Sequence, residues 1–167
     1  KFSANPAYIH YCSNNTLYGT EWFHVPKVPA GVPLICDTSS HMYSRPIDLS
    51  KFAMVYAGAQ KNLGPAGVTL CIIREDFAET GSKDIPDLLQ YRKFIPELSR
   101  PNTPPVFAVY VMGLIAKWIM KNGGLAAMQK HNEAKAKHIY DVLDNTKFYQ
   151  GHAQKEFRSL MNITFRL

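Results

Sequence analysis

Four short apolar runs, Ala7 to Cys12, Val32 to Cys36, Met54 to Ala57 and Val68 to Ile73, constrain the fold of this chain more than any other feature. Separated by turn-forming residues, they read as buried strands. Between them lie Ser13-Asn14-Asn15, Asp37-Thr38-Ser39-Ser40 and Gly58-Ala59-Gln60-Lys61-Asn62, so polar residues gather where each strand would end. In an open α/β sheet the carboxyl ends of the strands are where ligands bind, because loops there project side chains into a common crevice. The pattern predicts a mostly parallel sheet with flanking helices and three polar clusters close together.

The second half is helical in pattern. From Val106 to Lys121, Phe107, Val111, Leu114, Ile115 and Trp118 recur at helical spacing behind Pro104 and Pro105, and Asn122-Gly123-Gly124 stops the run. A second helix from about Leu125 to Asn145 is expected to turn Met128, Ile139, Val142 and Leu143 inward, with Glu133 and Lys137 paired on its wet face. The change near Gly123 divides the chain into 1–122 and 123–167. Arg158 to Leu167 alternates like the first strand of a new unit, and Glu79 to Arg100, with Pro86, Pro96 and little periodicity, reads as a long loop.

Composition excludes several classes. The net charge of +6 is spread over the chain, with no basic run that would mark a nucleic-acid arm, although positive potential suits an anionic small substrate. Cys12, Cys36 and Cys71 are odd in number and widely spaced inside apolar runs, which predicts reduced, buried thiols in a cytoplasmic protein and no zinc site. The apolar stretch from Pro104 to Ala116 falls short of the roughly 20 residues that span a bilayer. The N-terminus lacks both an initiator Met and a signal-like apolar core, so the chain reads as an excerpt.

Two charged residues carry the chemistry. Asp37 follows Pro33-Leu34-Ile35-Cys36 at the end of a buried strand, an awkward place for a carboxylate without a cationic partner. Lys61 stands after a later apolar run. Pyridoxal 5′-phosphate needs such a pair: a lysine for the Schiff base and a carboxylate that keeps the ring nitrogen protonated. On spacing alone, a strand-end Asp and Lys are more often ordinary surface residues.

The wording of the sequence goes further. The run Tyr56-Ala57-Gly58-Ala59-Gln60-Lys61-Asn62-Leu63-Gly64-Pro65-Ala66-Gly67 resembles the cofactor-lysine segment of the phosphoserine aminotransferases. So do Asp37-Thr38-Ser39-Ser40 with Ser44-Arg45-Pro46-Ile47-Asp48, Tyr8-Ile9-His10-Tyr11-Cys12, Asn102-Thr103-Pro104-Pro105 and Arg158-Ser159-Leu160-Met161-Asn162. The likeness runs in order over almost the whole chain.

That resemblance implies the large domain of a fold-type I pyridoxal-phosphate enzyme over 1–122 and the beginning of a smaller α/β C-terminal domain over 123–167. The implied reaction transfers an amino group from L-glutamate to 3-phosphohydroxypyruvate in serine biosynthesis, and bacterial relatives also serve vitamin B6 synthesis. By the same likeness, Lys61 is the Schiff-base lysine and catalytic base, Asp37 the partner of the pyridine nitrogen, and Thr16 and Gln60 are cofactor contacts. Asn102 and Thr103 match a pair that reaches across a homodimer interface to the phosphate held by the other subunit. Complete family members are about twice this long, with a glycine-rich phosphate turn and a stacking aromatic before Lys1 and the substrate-binding arginines after Leu167. The 167 residues alone are therefore expected to lack normal turnover. Another fold-type I enzyme, or a non-catalytic fragment, is the alternative.

Other residues have plainer readings beside functional ones. Thr16 is also good turn chemistry, and Ser39 and Ser40 suit a cap. His10 is expected to be a core histidine. His41 and Arg45 stand near the proposed site, where either could meet an anion, although a loop Arg is as often a surface ion-pair partner. Trp22 reads as packing, and His131 and His138 share a helix face without a third metal ligand.

Overall fold

The computed structural model describes residues 2–167. Strands β1 (Ile9–Cys12), β4 (Leu34–Asp37), β5 (Met54–Gly58) and β6 (Thr69–Ile73) form one sheet in that order. β1 pairs parallel with β4 and β4 parallel with β5, while β6 closes the edge antiparallel to β5. All four apolar runs are thus strands of a mostly parallel sheet, and Asp37 is the last residue of β4. Two short ribbons complete the β structure: β2 (Asn14–Asn15) with β3 (Thr20–Glu21), and β7 (Gln150–Gly151) with β8 (Phe165–Arg166).

Side chains alternate across the sheet. Register places Ile9, Tyr11, Leu34, Cys36, Val55 and Ala57 on one face. Most of these join Met42, Phe52, Ala59 and Leu63 in the buried core. The other face carries His10, Cys12, Asp37 and Tyr56. His10 is exposed there, not in the core, and of the three thiols only Cys36 is fully buried, Cys12 being exposed. Both departures have one cause: the alternation puts the even-numbered residues of β1 opposite the core.

The helices are α1 (Glu75–Ala78), α2 (Tyr91–Phe94), α3 (Val106–Lys121) and α4 (Gly124–Asn145). Pro105 precedes α3 and the chain turns at Asn122 and Gly123. The buried faces match the apolar periodicity only in part: Leu143 is buried and Met128, Val111 and Ile115 are half-buried. In α3, Ala108 and Ile119 are buried while Phe107 and Trp118 are 72% and 56% exposed. In α4, Asn132, Ala136 and Leu143 are buried, but Ile139 and Val142 are exposed. Lys137 pairs with Asp141 at 2.6 Å, and Glu133 accepts from Gln129 instead.

Two further segments differ from expectation. Residues 79–100 are folded by their own hydrogen bonds: Gln90, buried, donates to the Ile85 carbonyl at 2.6 Å, and the Arg92 guanidinium binds the carbonyls of Glu79, Gly81 and Ser82. Residues 158–164 form no alternating strand but fold back on the first half. The Ser159 N–H donates to the Gly19 carbonyl at 2.9 Å, and Thr164 Oγ1 to the Tyr18 carbonyl at 3.0 Å. Gly19 has φ +64, and a Cβ there would stand 2.7 Å from the Asn162 carbonyl oxygen, so the close approach requires glycine. Among the described residues no helix is long and apolar enough to cross a membrane.

Candidate active site

The site is built at the carboxyl ends of β1, β4 and β5. β4 delivers Asp37, and the backbone turns at once: the Ser39 N–H donates to Asp37 Oδ1 at 2.8 Å, while Ser39 Oγ accepts from the Gly58 N–H at 2.9 Å. Thr38 ties the same turn to β5, its N–H and hydroxyl both donating to the Tyr56 carbonyl. The carboxylate is therefore fixed relative to the end of the strand that leads to Lys61.

Lys61 follows β5 in a tight turn. Asn62 Nδ2 donates to the Met42 carbonyl at 2.6 Å and the Gly64 N–H to the Ala59 carbonyl at 2.8 Å, with Leu63 wholly buried below. The lysine itself is exposed, and its Nζ donates to Thr16 Oγ1 at 2.5 Å. Thr16 is thus more than a turn residue. The turn is held by Asn15, whose side-chain oxygen accepts from the N–H groups of Leu17 and Tyr18. Gln60 is exposed and bends back over the strand end, where its amide lies 2.6 to 2.9 Å from the place a Cβ on Gly58 would take.

Cys12 stands opposite Asp37 in register. Although Cys12 is exposed, partial desolvation of its thiol raises the pKa, and the charges of Asp37 and Lys61 act on it in opposite senses, which puts both in one electrostatic neighbourhood. Among the described residues no Lys, Arg or His forms an ion pair with Asp37. A carboxylate pinned by its turn and left without a cation, beside an accessible amine, fits a group that presents a protonated ring nitrogen at one end and an aldehyde at the other. Asn102 and Thr103 are exposed in the loop before α3 and share no hydrogen bond with Lys61, Asp37, Thr16 or Gln60 among the described residues.

Several supporting residues escape sequence reasoning. His41 is 1% exposed, with Nε2 against Ser13 Oγ at 2.5 Å, so it meets no anion at the surface. Burial, and then the charge of Arg45, push its pKa down to about 4. Arg45 is not a surface partner either: its Nε donates at 3.0 Å to the buried Glu21, whose other oxygen accepts from the Leu160 N–H. Asn14 Nδ2 donates to Ser40 Oγ and to Asn162 Oδ1, both at 2.6 Å. Trp22 packs edge-on to Tyr11 and His24, as expected of a packing residue. The Asn14–Asn162 and Glu21–Leu160 contacts join positions far apart in the chain, which no local pattern reveals.

Comparison with known proteins agrees with this geometry. The family model described as Aminotransferase class-V matches residues 1–167. The chain is 52% identical to the phosphoserine aminotransferase of Lysinibacillus sphaericus over all of its own length and 46% of the relative's. It is 48% identical to that of Drosophila melanogaster, again over all of this chain and 46% of the relative. The crystal structure of the pyridoxal-phosphate-bound phosphoserine aminotransferase from Trichomonas vaginalis superimposes with a TM-score of 0.94 at 41% identity, covering 99% of this chain and 48% of that one. The chain spans about half the length of the curated relatives it matches. With the family model matched from end to end and the strand-end lysine and aspartate in place, the chain belongs to the class-V aminotransferase family.

Proposed function

We propose that this chain forms the cofactor-holding centre of a phosphoserine aminotransferase, which moves an amino group from L-glutamate to 3-phosphohydroxypyruvate to give O-phospho-L-serine and 2-oxoglutarate in serine biosynthesis. The observation that carries the reading is the joint placement of Lys61 on Thr16 and of Asp37, which has no ion-pair partner among the described residues, at the ends of adjoining strands. Identity of about one half to proteins of that name, over the whole chain, supports the substrate assignment.

Pyridoxal 5′-phosphate, when bound, supplies an electron-accepting ring that stabilises negative charge at the substrate's α-carbon. Lys61 would hold the cofactor through its amine, and its free amine would serve as the base that takes a proton from the substrate's α-carbon and returns it. Asp37 holds the proton of the ring nitrogen. Thr16 orients the Lys61 amine from above the turn, and Gln60 contacts the cofactor phosphate. In a homodimer, Asn102 and Thr103 complete the neighbouring copy's phosphate site. Their exposure, next to the exposed Val106, Phe107 and Tyr110 at the start of α3, supports a partner surface there. Free thiols at Cys12, Cys36 and Cys71 suit the cytoplasm.

The reading is tested by adding pyridoxal 5′-phosphate, reducing with borohydride and mapping the modified peptide. The label is expected on Lys61, and a label on another lysine would sink the assignment. Glutamate and 3-phosphohydroxypyruvate are then the substrates to assay with the full natural polypeptide. The 167 residues alone are expected to lack normal turnover.

A further inference from the structure

One side-chain array on the face opposite the core is not used by the reaction as described. Parallel pairing sets Tyr56 of β5 directly across from Asp37 of β4, and alternation puts both on the same face as His10 of β1. The Tyr56 hydroxyl lies 3.1 Å from His10 Nε2, and the two rings stack with centroids 5.9 Å apart and planes 24° apart. Among the described residues His10 makes the one hydrogen bond of ordinary geometry to the Tyr56 hydroxyl, and the Asp37 carboxylate is near enough to act on the same hydroxyl through a hydrogen bond, so His10 orients the phenol from one side. Burial first, then the charge of Asp37, raise the phenol to about 12, which keeps it a protonated donor at neutral pH. Cys12, Cys71 and Tyr91 are the remaining titratable groups around it.

We propose that Tyr56, oriented by His10, is a positioning residue for Asp37, setting how strongly that carboxylate holds the proton on the cofactor's ring nitrogen. The inference rests on the cofactor reading above. A phenol beside a carboxylate draws off part of its negative charge, and a group that acts on a functional residue from behind commonly tunes it without touching substrate. Tyr56 itself lies five residues before Lys61 in the same strand and turn, so one segment would supply both the anchor and the tuning group.

The test uses the full natural polypeptide loaded with pyridoxal 5′-phosphate and compares wild type, Tyr56→Phe, His10→Leu and His10→Gln. The main readout is the pH midpoint of the bound cofactor's visible absorbance. Loss of the phenol leaves more charge on Asp37, so Tyr56→Phe is expected to raise that midpoint by about half a unit to one unit. It should also change kcat with KM changed less than about twofold. His10→Leu should move the midpoint the same way by less, and His10→Gln, which can still bond the phenol, should restore most of the wild-type value. A folded, loaded Tyr56→Phe protein with an unmoved midpoint overturns the proposal, even if its thermal stability falls. Failure of the wild type to take a reducible label on Lys61 overturns the cofactor reading instead.

Discussion

Thr16 Oγ1 accepts a hydrogen bond from Lys61 Nζ at 2.5 Å, joining the turn between β2 and β3 to the turn after β5 across 45 positions of sequence. The contact holds the amine over the strand ends before any ligand arrives, so removing it should act on cofactor capture and not on the fold. Thr16 is half-buried in a turn that Asn15 caps, and Thr16→Val keeps its shape. Hydrogen bonds to charged groups contribute about 1.5–3 kcal/mol, and the exposed setting places this one at the low end. Thr16→Val is expected to weaken pyridoxal 5′-phosphate binding by about tenfold while Thr16→Ser stays near wild type, as read by cofactor titration.

Gly58 should separate the cofactor site from stability in another way. A Cβ there would stand 2.6 Å from Gln60 Oε1, the far end of a flexible side chain, so Gly58→Ala would displace Gln60 and leave the strand intact. A thermal midpoint within about 2 °C of wild type is expected. Cofactor affinity should fall several-fold, and Gln60→Ala should fall by the same amount without adding to it in the double variant. Additive losses would show that Gly58 acts through something other than Gln60.

The Glu21–Arg45 pair binds three parts of the chain together. Glu21 is fully buried and serves Arg45 with one oxygen and the Leu160 N–H with the other, while Arg45 also donates to the Trp22 carbonyl. Removing one member of such a pair leaves the other charge and a backbone donor unsatisfied, at a cost of about 3–5 kcal/mol when burial is complete. Arg45 keeps some access to water, so Glu21→Ala is expected to lose about 2–4 kcal/mol in urea unfolding. Glu21→Gln keeps one acceptor oxygen and so can serve only one of the two donors, Arg45 Nε–H or the Leu160 N–H; it should lose less than Glu21→Ala but a substantial part of that amount.

These contacts mark where sequence reasoning stops. The sheet was legible because Leu34-Ile35-Cys36 and Met54-Val55-Tyr56-Ala57 are continuous apolar runs; that Asp37 and Lys61 stand near strand ends was legible because each follows one, whereas the roles proposed for them came from the family resemblance and not from spacing. Helical periodicity located α3 and α4 but only part of their buried faces, Leu143 included. Phe107, Trp118, Ile139 and Val142 are apolar and yet exposed, and periodicity reports only that a face is apolar, not what covers it. Residues 158–164 were misread as a strand because Met161, Ile163 and Phe165 alternate with polar neighbours. The Ser159 hydroxyl accepts from the N–H groups of Met161 and Asn162, which turns the chain instead. No short-range signal pairs Asn14 with Asn162.

Stability should fall with acid in two separate steps, each traceable to one residue. His41, buried against Ser13, has its pKa pushed down from 6.5 to about 4 by burial and by Arg45. The unfolded chain therefore binds a proton more readily than the folded one below the ordinary histidine value. Stability is full above that value and declines as pH falls toward about 4, by something on the order of 2–3 kcal/mol. His41→Gln should remove this slope. Asp144 lies lower: hydrogen bonds from Arg158 at 2.7 and 2.9 Å, with Lys155 nearby, hold its carboxyl at about 2 against an ordinary 3.8. Its contribution is present above the ordinary value and is lost as pH drops toward about 2, and because the Asp144 carboxylate keeps access to water while Arg158 is mostly covered, the step should be small and should shrink with added salt. Urea midpoints measured along a pH series should show the first slope vanish in His41→Gln and the second in Asp144→Asn. A first slope unchanged in His41→Gln would mean that a different group takes up the proton.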